Sequence, residues 1–299
     1  MSQEPAVYKP TDLTYGNYLK VPQLLSLQQL QSNPPHHDEM LFIVIHQAYE
    51  LWFKLILLEL ENAMAYMGRR EVLRAHHFLR RVVEIQKVLV SQIHILETMT
   101  PIEFLGFRDH LNPASGFQSF QFRELEFIAG LVDESYYDHF IEQSGLDNLR
   151  QRAAHPGLWA CYQKLLADLG FPVPAPMANQ PSEGPERDQL LKVLASLYEH
   201  PEAQMELYML SEALVDFDTQ LGLWRFHHVS VVERVIGHKV GTGGSSGSGY
   251  LRSTLTKRCF PLLFEARSLL GGAAAAPYGA SPTAERSTGG PPTGGCPFH

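Results

Sequence analysis

The sequence predicts an all-α fold, a helical bundle preceded by an extended N-terminal arm. Long windows place apolar residues three and four apart, the period of one helix face. Leu41, Ile45, Ala48, Leu51, Leu55 and Leu58 are the first such set. No window alternates apolar and polar residues as a half-buried strand does, and no repeat of fixed period runs through the chain. The 299 residues are 44% hydrophobic, with 16 Phe, 12 Tyr and 3 Trp, enough to fill a sizeable core.

Residues 1–37 carry turn formers and aromatics: Tyr8, Pro10, Tyr15, Tyr18, Pro22, Pro34 and Pro35. They read as an arm with a short helix near Val21–Gln31. Such an arm cannot bury its own aromatics and needs another surface, such as a neighbouring subunit. Asp38 to about Met67 is a long helix, with Asp38 and Glu39 suiting the positive end of its dipole and Gly68 suiting its end. Glu71 to about Met99 is a second, stopped at Thr100-Pro101. A shorter segment covers Gln118–Gly130, and Asp133–Leu169 divides into two short helices.

Five prolines between Gly170 and Glu186 mark a loop. Helical periodicity resumes over Arg187–Glu199 and Glu202–Ile236, the latter with Leu207, Leu210, Leu214, Phe217, Leu221 and Trp224 on one stripe. A glycine-serine loop, Gly241–Gly249, leads to a last helix over about Tyr250–Leu270. Residues 271–299 are mostly Gly, Ala, Pro, Ser and Thr, a composition that cannot build a core and predicts disorder. The chain therefore divides into an arm (1–37), a helical body (38–270) and a tail (271–299).

Charge excludes some functions. The formal net charge is −8, from 24 basic and 32 acidic residues, without a basic cluster. Binding to a phosphate backbone requires clustered Lys and Arg, so no nucleic-acid partner is expected, and an anionic membrane surface is disfavoured too. The apolar runs Met40–Ile45 and Leu55–Leu58 are bounded by polar residues, so no membrane span is expected. The N-terminus lacks the apolar stretch of a secretory signal. Cys161, Cys259 and Cys296 are odd in number and far apart, which fits a reducing, cytoplasmic setting better than a disulfide framework.

The chain has no nucleophile elbow, no HExxH and no dinucleotide-type glycine motif, which leaves hydrolase and nucleotide chemistry without support. It does have 14 histidines, about twice the ordinary share. Phe42 and His46 are four apart and share a helix face among apolar neighbours, so His46 is either a hydrogen-bonded core residue or part of a buried pocket. His227 and His228 point about 100° apart on a helix, so only one can face a given cavity. A single imidazole facing an apolar cavity suits axial ligation of haem iron. Arg108 stands among Phe104, Leu105 and Phe107; it can grip a carboxylate bidentately, or pair with Asp109 or Glu103. The glycine loop is a linker or a lid in which Thr242 supplies a hydroxyl. Cys296 and His299 are two loose donors in the tail, a poor metal site.

Four segments together resemble the tryptophan 2,3-dioxygenase family: Asp38–Trp52, Pro113–Ser119, Trp224–His228 and Arg234–Gly247. The likeness spans about Tyr15 to Leu270, and its most specific element is the GTGGSSG loop combined with the Phe42-to-His46 spacing. The resemblance implies one haem b per subunit with His228, fourteen residues before Thr242, as its axial ligand, and Ser115 and Gly116 lining the haem pocket. His227 is then structural or solvent-facing.

The substrates implied are L-tryptophan and O2. Phe42 would pack on the indole with Ile43, Val44, Ile45 and Phe104 around it, His46 would meet the indole N–H, and Arg108 and Thr242 would hold the amino-acid zwitterion. Tyr15, Tyr18 and Leu19 would reach a neighbour's pocket within a homotetramer. Several bacterial members carry Tyr where this chain has Phe104; the lost phenol hydrogen bond is worth about 1 kcal/mol. A haem-binding sensor or carrier without turnover is the competing reading. It needs His228 but not Arg108 and Thr242 together.

Overall fold

Why Asp38 onward folds as one long helix is visible at its start. In the computed structural model, which describes residues 13–139, 143–175, 180, 183–237 and 248–270, the His36 ring accepts the Asp38 N–H at 3.3 Å, and Asp38 and Glu39 occupy the first turn. Two short helices come first in the arm, α1 (Tyr15–Tyr18) and α2 (Val21–Leu24). The Val21–Gln31 helix is thus confined to one turn. Beyond it the arm runs back along α3 (His37–Gly68). There the buried Glu39 carboxylate accepts the backbone N–H groups of Gln31 and Ser32 at 2.7 and 3.0 Å.

The inward stripe of α3 is Ile45, Tyr49, Phe53, Ile56, Leu60, Ala63 and Met67, all buried. This corrects the expected stripe: Leu51 and Leu58 are 57% and 53% exposed. The helix is apolar on several faces, so its sequence offers more than one stripe, and packing against neighbouring helices selects one. α3 is also long and apolar enough to cross a membrane by length and composition alone.

α4 (Val72–Leu96) packs between α3 and the later helix α10, and forms the centre of the bundle. Its Gln86 amide donates to the Phe217 carbonyl at 3.2 Å, a buried cross-link between helices. After α4 the stop at Thr100-Pro101 is followed by a further helix, α5 (Pro101–Arg108), an element not predicted from the sequence. A capping box starts it: Glu103 N–H donates to the Thr100 hydroxyl at 3.3 Å, and Thr100 N–H donates to the Glu103 carboxylate at 2.7 Å. Pro101 occupies the first helical position, where a missing N–H costs nothing.

α6 (Phe120–Ile128), α7 (Gln143–Ala154), α8 (Leu158–Asp168) and α9 (Pro185–Glu199) follow. A 3-10 turn, Glu134–His139, opens the segment expected to hold two helices. α10 (Met205–Ile236) buries the expected stripe from Leu207 to Leu221, with Trp224 at its edge.

The expected last helix is broken. α11 (Ser248–Ser253) and α12 (Pro261–Ala266) are separate, and a 3-10 turn, Arg267–Leu269, ends the described chain. Pro261 cannot continue a helix. The freed N–H groups of Cys259 and Phe260 both donate to the buried Asp218 carboxylate of α10, at 2.9 and 3.0 Å. The tail from 271 lies outside the described residues.

Candidate functional site

Near their middles and ends, α3, α5, α6, α10 and α11 enclose a cavity of about 300 Å³. α3 contributes Phe42, His46 and Glu50 to its wall. Phe104 and Arg108 come from α5, one turn apart on the same face. The turn before α6 adds Ser115, Gly116 and Ser119, and α10 adds Trp224, Arg225 and His228. The wall is mostly apolar, with a few convergent polar groups, the composition typical of a small-molecule site.

The His46 ring is fixed by its own helix. Its Nδ1–H donates to the Phe42 carbonyl at 2.7 Å. A carbonyl can only accept, so Nδ1 carries the proton and Nε2 is left as an acceptor. Burial lowers the imidazole pKa, opposed by the Phe42 bond and the nearby Glu50 carboxylate, which raise it. The group is neutral and faces the cavity. Phe42 lies over it, with ring centroids 4.0 Å apart, and meets Phe104 and Phe107 at 5.9 and 5.7 Å. These rings form one aromatic wall.

His228 reaches the same cavity from α10. Its ring stacks on Trp224, one turn earlier, with centroids 5.0 Å apart and planes at 19°. Desolvation by the surrounding protein pushes its pKa down to about 4, with His46 and Arg123 adding repulsion. A neutral imidazole facing a cavity keeps a lone pair for a metal ion or a hydrogen bond. His227 points elsewhere, towards His94 of α4.

The floor is a buried ion cluster that spacing along the chain did not reveal. Glu126 accepts from Arg123 at 2.5 Å and from Arg225 at 2.8 Å. Arg225 also donates to the Lys257 carbonyl at 3.1 Å, which ties α6, α10 and the segment after α11 together. Arg123 lies over the Tyr136 ring at 4.0 Å, and its Nε is buried without a hydrogen-bond partner. Glu50 is held by Ser119 at 2.6 Å and Gln121 at 2.8 Å. The Arg-Glu pair three apart on a helix rich in apolar residues, Phe120–Ile128, was the available sequence signal.

Of the sequence-predicted residues, Phe42, His46, Phe104, Arg108, Ser115, Gly116 and His228 meet in the cavity. Ile43, Val44 and Ile45 do not border it: Ile45 is in the core and Val44 is 45% exposed. Tyr15, Tyr18 and Leu19 are 79%, 70% and 44% exposed and touch no part of the cavity of their own chain. Thr242 and the glycine loop lie outside the described residues. Arg108 is half-buried, and the Glu103 carboxylate, one of its two candidate partners, is engaged in capping α5.

Fold and site together define an all-α protein with a mostly apolar cavity, walled in part by aromatic rings, in which two neutral imidazoles and an arginine converge. A family model described as tryptophan 2,3-dioxygenase matches residues 2–166 and 190–270. A relative named tryptophan 2,3-dioxygenase from Nocardioides sp. is 46% identical over 265 residues, covering 86% of this chain and 95% of that protein. One of the same name from Xanthomonas euvesicatoria pv. vesicatoria is 41% identical over 287 residues, 94% of this chain and 96% of its own length. Another, from Xanthomonas oryzae pv. oryzae, is 41% identical over 285 residues. The chain belongs to the tryptophan 2,3-dioxygenase family and is an enzyme of that oxidoreductase class.

Proposed function

We propose that this chain is a haem-dependent dioxygenase that inserts both atoms of O2 across the indole C2–C3 bond of L-tryptophan. The product is N-formyl-L-kynurenine, and the reaction opens tryptophan degradation by the kynurenine pathway. Family membership supports the reaction. The observation that carries the site assignment is the convergence of His46, His228 and Arg108 on one aromatic cavity.

The residues suit one haem b per subunit. His228 is half-buried, held neutral and stacked on Trp224, so a ring nitrogen would hold the haem iron with the ring orientation restrained. Gly116 lines the cavity, and a Cβ there would meet no atom within 4 Å, so a flat ring has room beside the backbone. Arg123 offers a buried cation with an unpartnered Nε on the same wall, suited to an anionic edge group. When bound, ferrous haem supplies O2 binding and activation, chemistry that side chains lack.

The remaining work falls to this chain's residues. Arg108 binds the substrate carboxylate as a bidentate cation, and Thr242 contacts the ammonium end. The indole packs on Phe42 and Phe104, which also keep water out of the cavity. His46 Nε2 accepts the indole N–H and so fixes the rotation of the ring. Holding the substrate at its carboxylate, its face and its N–H orients the C2–C3 bond. His46 acts by orientation, because its lowered pKa makes it a poor base for the very weakly acidic indole N–H.

Tyr15, Tyr18 and Leu19 complete a neighbouring subunit's pocket, in a cytoplasmic homotetramer with exchanged arms. Their exposure on an arm anchored through Glu39 supports this. The net charge of −8 supports no nucleic-acid partner, and no membrane partner is invoked. The direct test is His228→Ala. It is expected to purify folded but without a Soret band, whereas full haem retention would mean that another residue holds the iron.

A further inference from the structure

Outside the cavity, α4 and α10 bring three metal-ligating side chains together at the surface. His94 lies in the last turn of α4 and Glu97 caps its C-terminus, and His227 faces them from α10. One ligand atom of each lies within 4.8 Å of the others. The His94 and His227 rings meet edge to face, centroids 5.1 Å apart at 83°. His94 Nδ1 lies 3.2 Å from a Glu97 carboxylate oxygen.

Metal–nitrogen bonds of about 2.0–2.1 Å in a tetrahedral site place ligand atoms about 3.3 Å apart. Side-chain rotations that move these atoms by about 1.5 Å or less close the triangle. The side chains of His94 and Glu97 are 53% and 26% exposed, so such rotations meet little resistance.

Two features separate this trio from an ordinary surface ion pair. The third donor comes from a different helix, so one ion would cross-link α4 to α10. No Lys or Arg stands within four positions of His94 or Glu97. Arg225, two residues before His227, is buried and turned to Glu126 and the Lys257 carbonyl. The carboxylate therefore faces two imidazoles rather than a permanent cation of α4 or α10.

We propose that His94, Glu97 and His227 form a binding site for a borderline-soft divalent cation, with Zn2+ as its probe. Two imidazoles and one carboxylate suit Zn2+, Ni2+ and Cu2+, whereas Mg2+ and Ca2+ require oxygen donors. Three protein ligands leave a fourth position for water. Because His227 directly precedes His228, the cross-link restrains the turn of α10 that presents an imidazole to the cavity. The site does not depend on what the cavity binds.

The test is calorimetric titration of the chelator-treated, dialysed protein, as purified, with Zn2+ alone. The wild type is expected to take up one Zn2+ per chain in a saturable phase. His94→Ala and Glu97→Gln should each weaken that phase by about tenfold or more, since even indirect partners of a metal are worth about 10–100-fold in affinity. Both positions are solvent-accessible, and unfolding temperatures matching the wild type without metal verify the folds. At a given Zn2+ concentration the unfolding temperature of the wild type should then rise more than that of either variant. Equal Zn2+ affinity in wild type and both variants would overturn the proposal, as would the absence of any saturable phase in the wild type.

Discussion

His46 donates its Nδ1–H to the carbonyl of Phe42, four residues earlier, at 2.7 Å. This bond sets the tautomer and turns Nε2 into an acceptor on the same wall that carries the Phe42 ring. Helical spacing alone thus joins the residue proposed to pack on the indole to the one proposed to meet the indole N–H. His46→Ala removes one acceptor. A hydrogen bond of about 1 kcal/mol predicts a fall in kcat/KM of about tenfold or less. Steady-state rates check it; a loss beyond about a thousandfold would belong to a general base instead.

Arg108→Ala is expected to raise KM for L-tryptophan by about ten- to a hundredfold, the worth of a charge-assisted bond of about 1.5–3 kcal/mol. The absorption spectrum of the substrate-free protein should not change, because the substitution leaves His228 and Trp224 in place. An unchanged KM would take Arg108 out of the substrate site.

Glu126 is buried between Arg123 and Arg225, and the three side chains are 8% exposed or less. Removing the carboxylate strands two buried cations. Glu126→Ala should therefore lower folding stability by about 3–5 kcal/mol, measured by urea unfolding. A loss below about 1 kcal/mol would mean that water replaces the carboxylate, the ordinary outcome for an exposed pair.

The depressed pKa of His228 has a signed consequence for haem-free protein. Its folded pKa is about 4, against 6.5 for an ordinary histidine. Within that window the unfolded chain binds a proton that the folded chain does not. Stability is therefore intact above about 6.5, falls as pH drops towards about 4, and stops falling on this residue's account below that. His46, also depressed, adds to the same slope. In denaturant titrations, His228→Gln should show a shallower loss of stability over this range than the wild type. Identical slopes would mean that the fold does not hold the imidazole neutral.

Much of this architecture was legible in sequence, and the exceptions have physical causes. The α10 stripe was readable because polar residues flank it. The α3 stripe was not, because that helix is apolar on several faces and only its neighbours decide which face is buried. α5 is hard to read because Pro101 both ends the preceding helix and starts the next, although Thr100-Pro101-Ile102-Glu103 carries a capping box. Phe42 with His46, and Phe104 with Arg108, each share a face by four-residue spacing. Their convergence is a tertiary fact, as is the Arg225–Glu126 bond, which joins residues 99 apart in the chain. No periodicity reports such a contact.

Deleting residues 1–20 removes Tyr15, Tyr18 and Leu19 while sparing the Gln31 and Ser32 anchors on Glu39. If these side chains close a neighbour's pocket, kcat/KM should fall by about tenfold or more, equivalent to losing about 1.4 kcal/mol of contact. Full activity in the truncated protein would remove the exchanged arm from the site.

The most direct measurement is the absorption spectrum of the reduced, purified protein with L-tryptophan, followed in the near-ultraviolet, where formylkynurenine absorbs, after air is admitted. A haem Soret band with a rising product signal that requires both L-tryptophan and O2 is the predicted result. A Soret band without product would instead make the chain a haem sensor or carrier, and no haem even after reconstitution would contradict the assignment of His228.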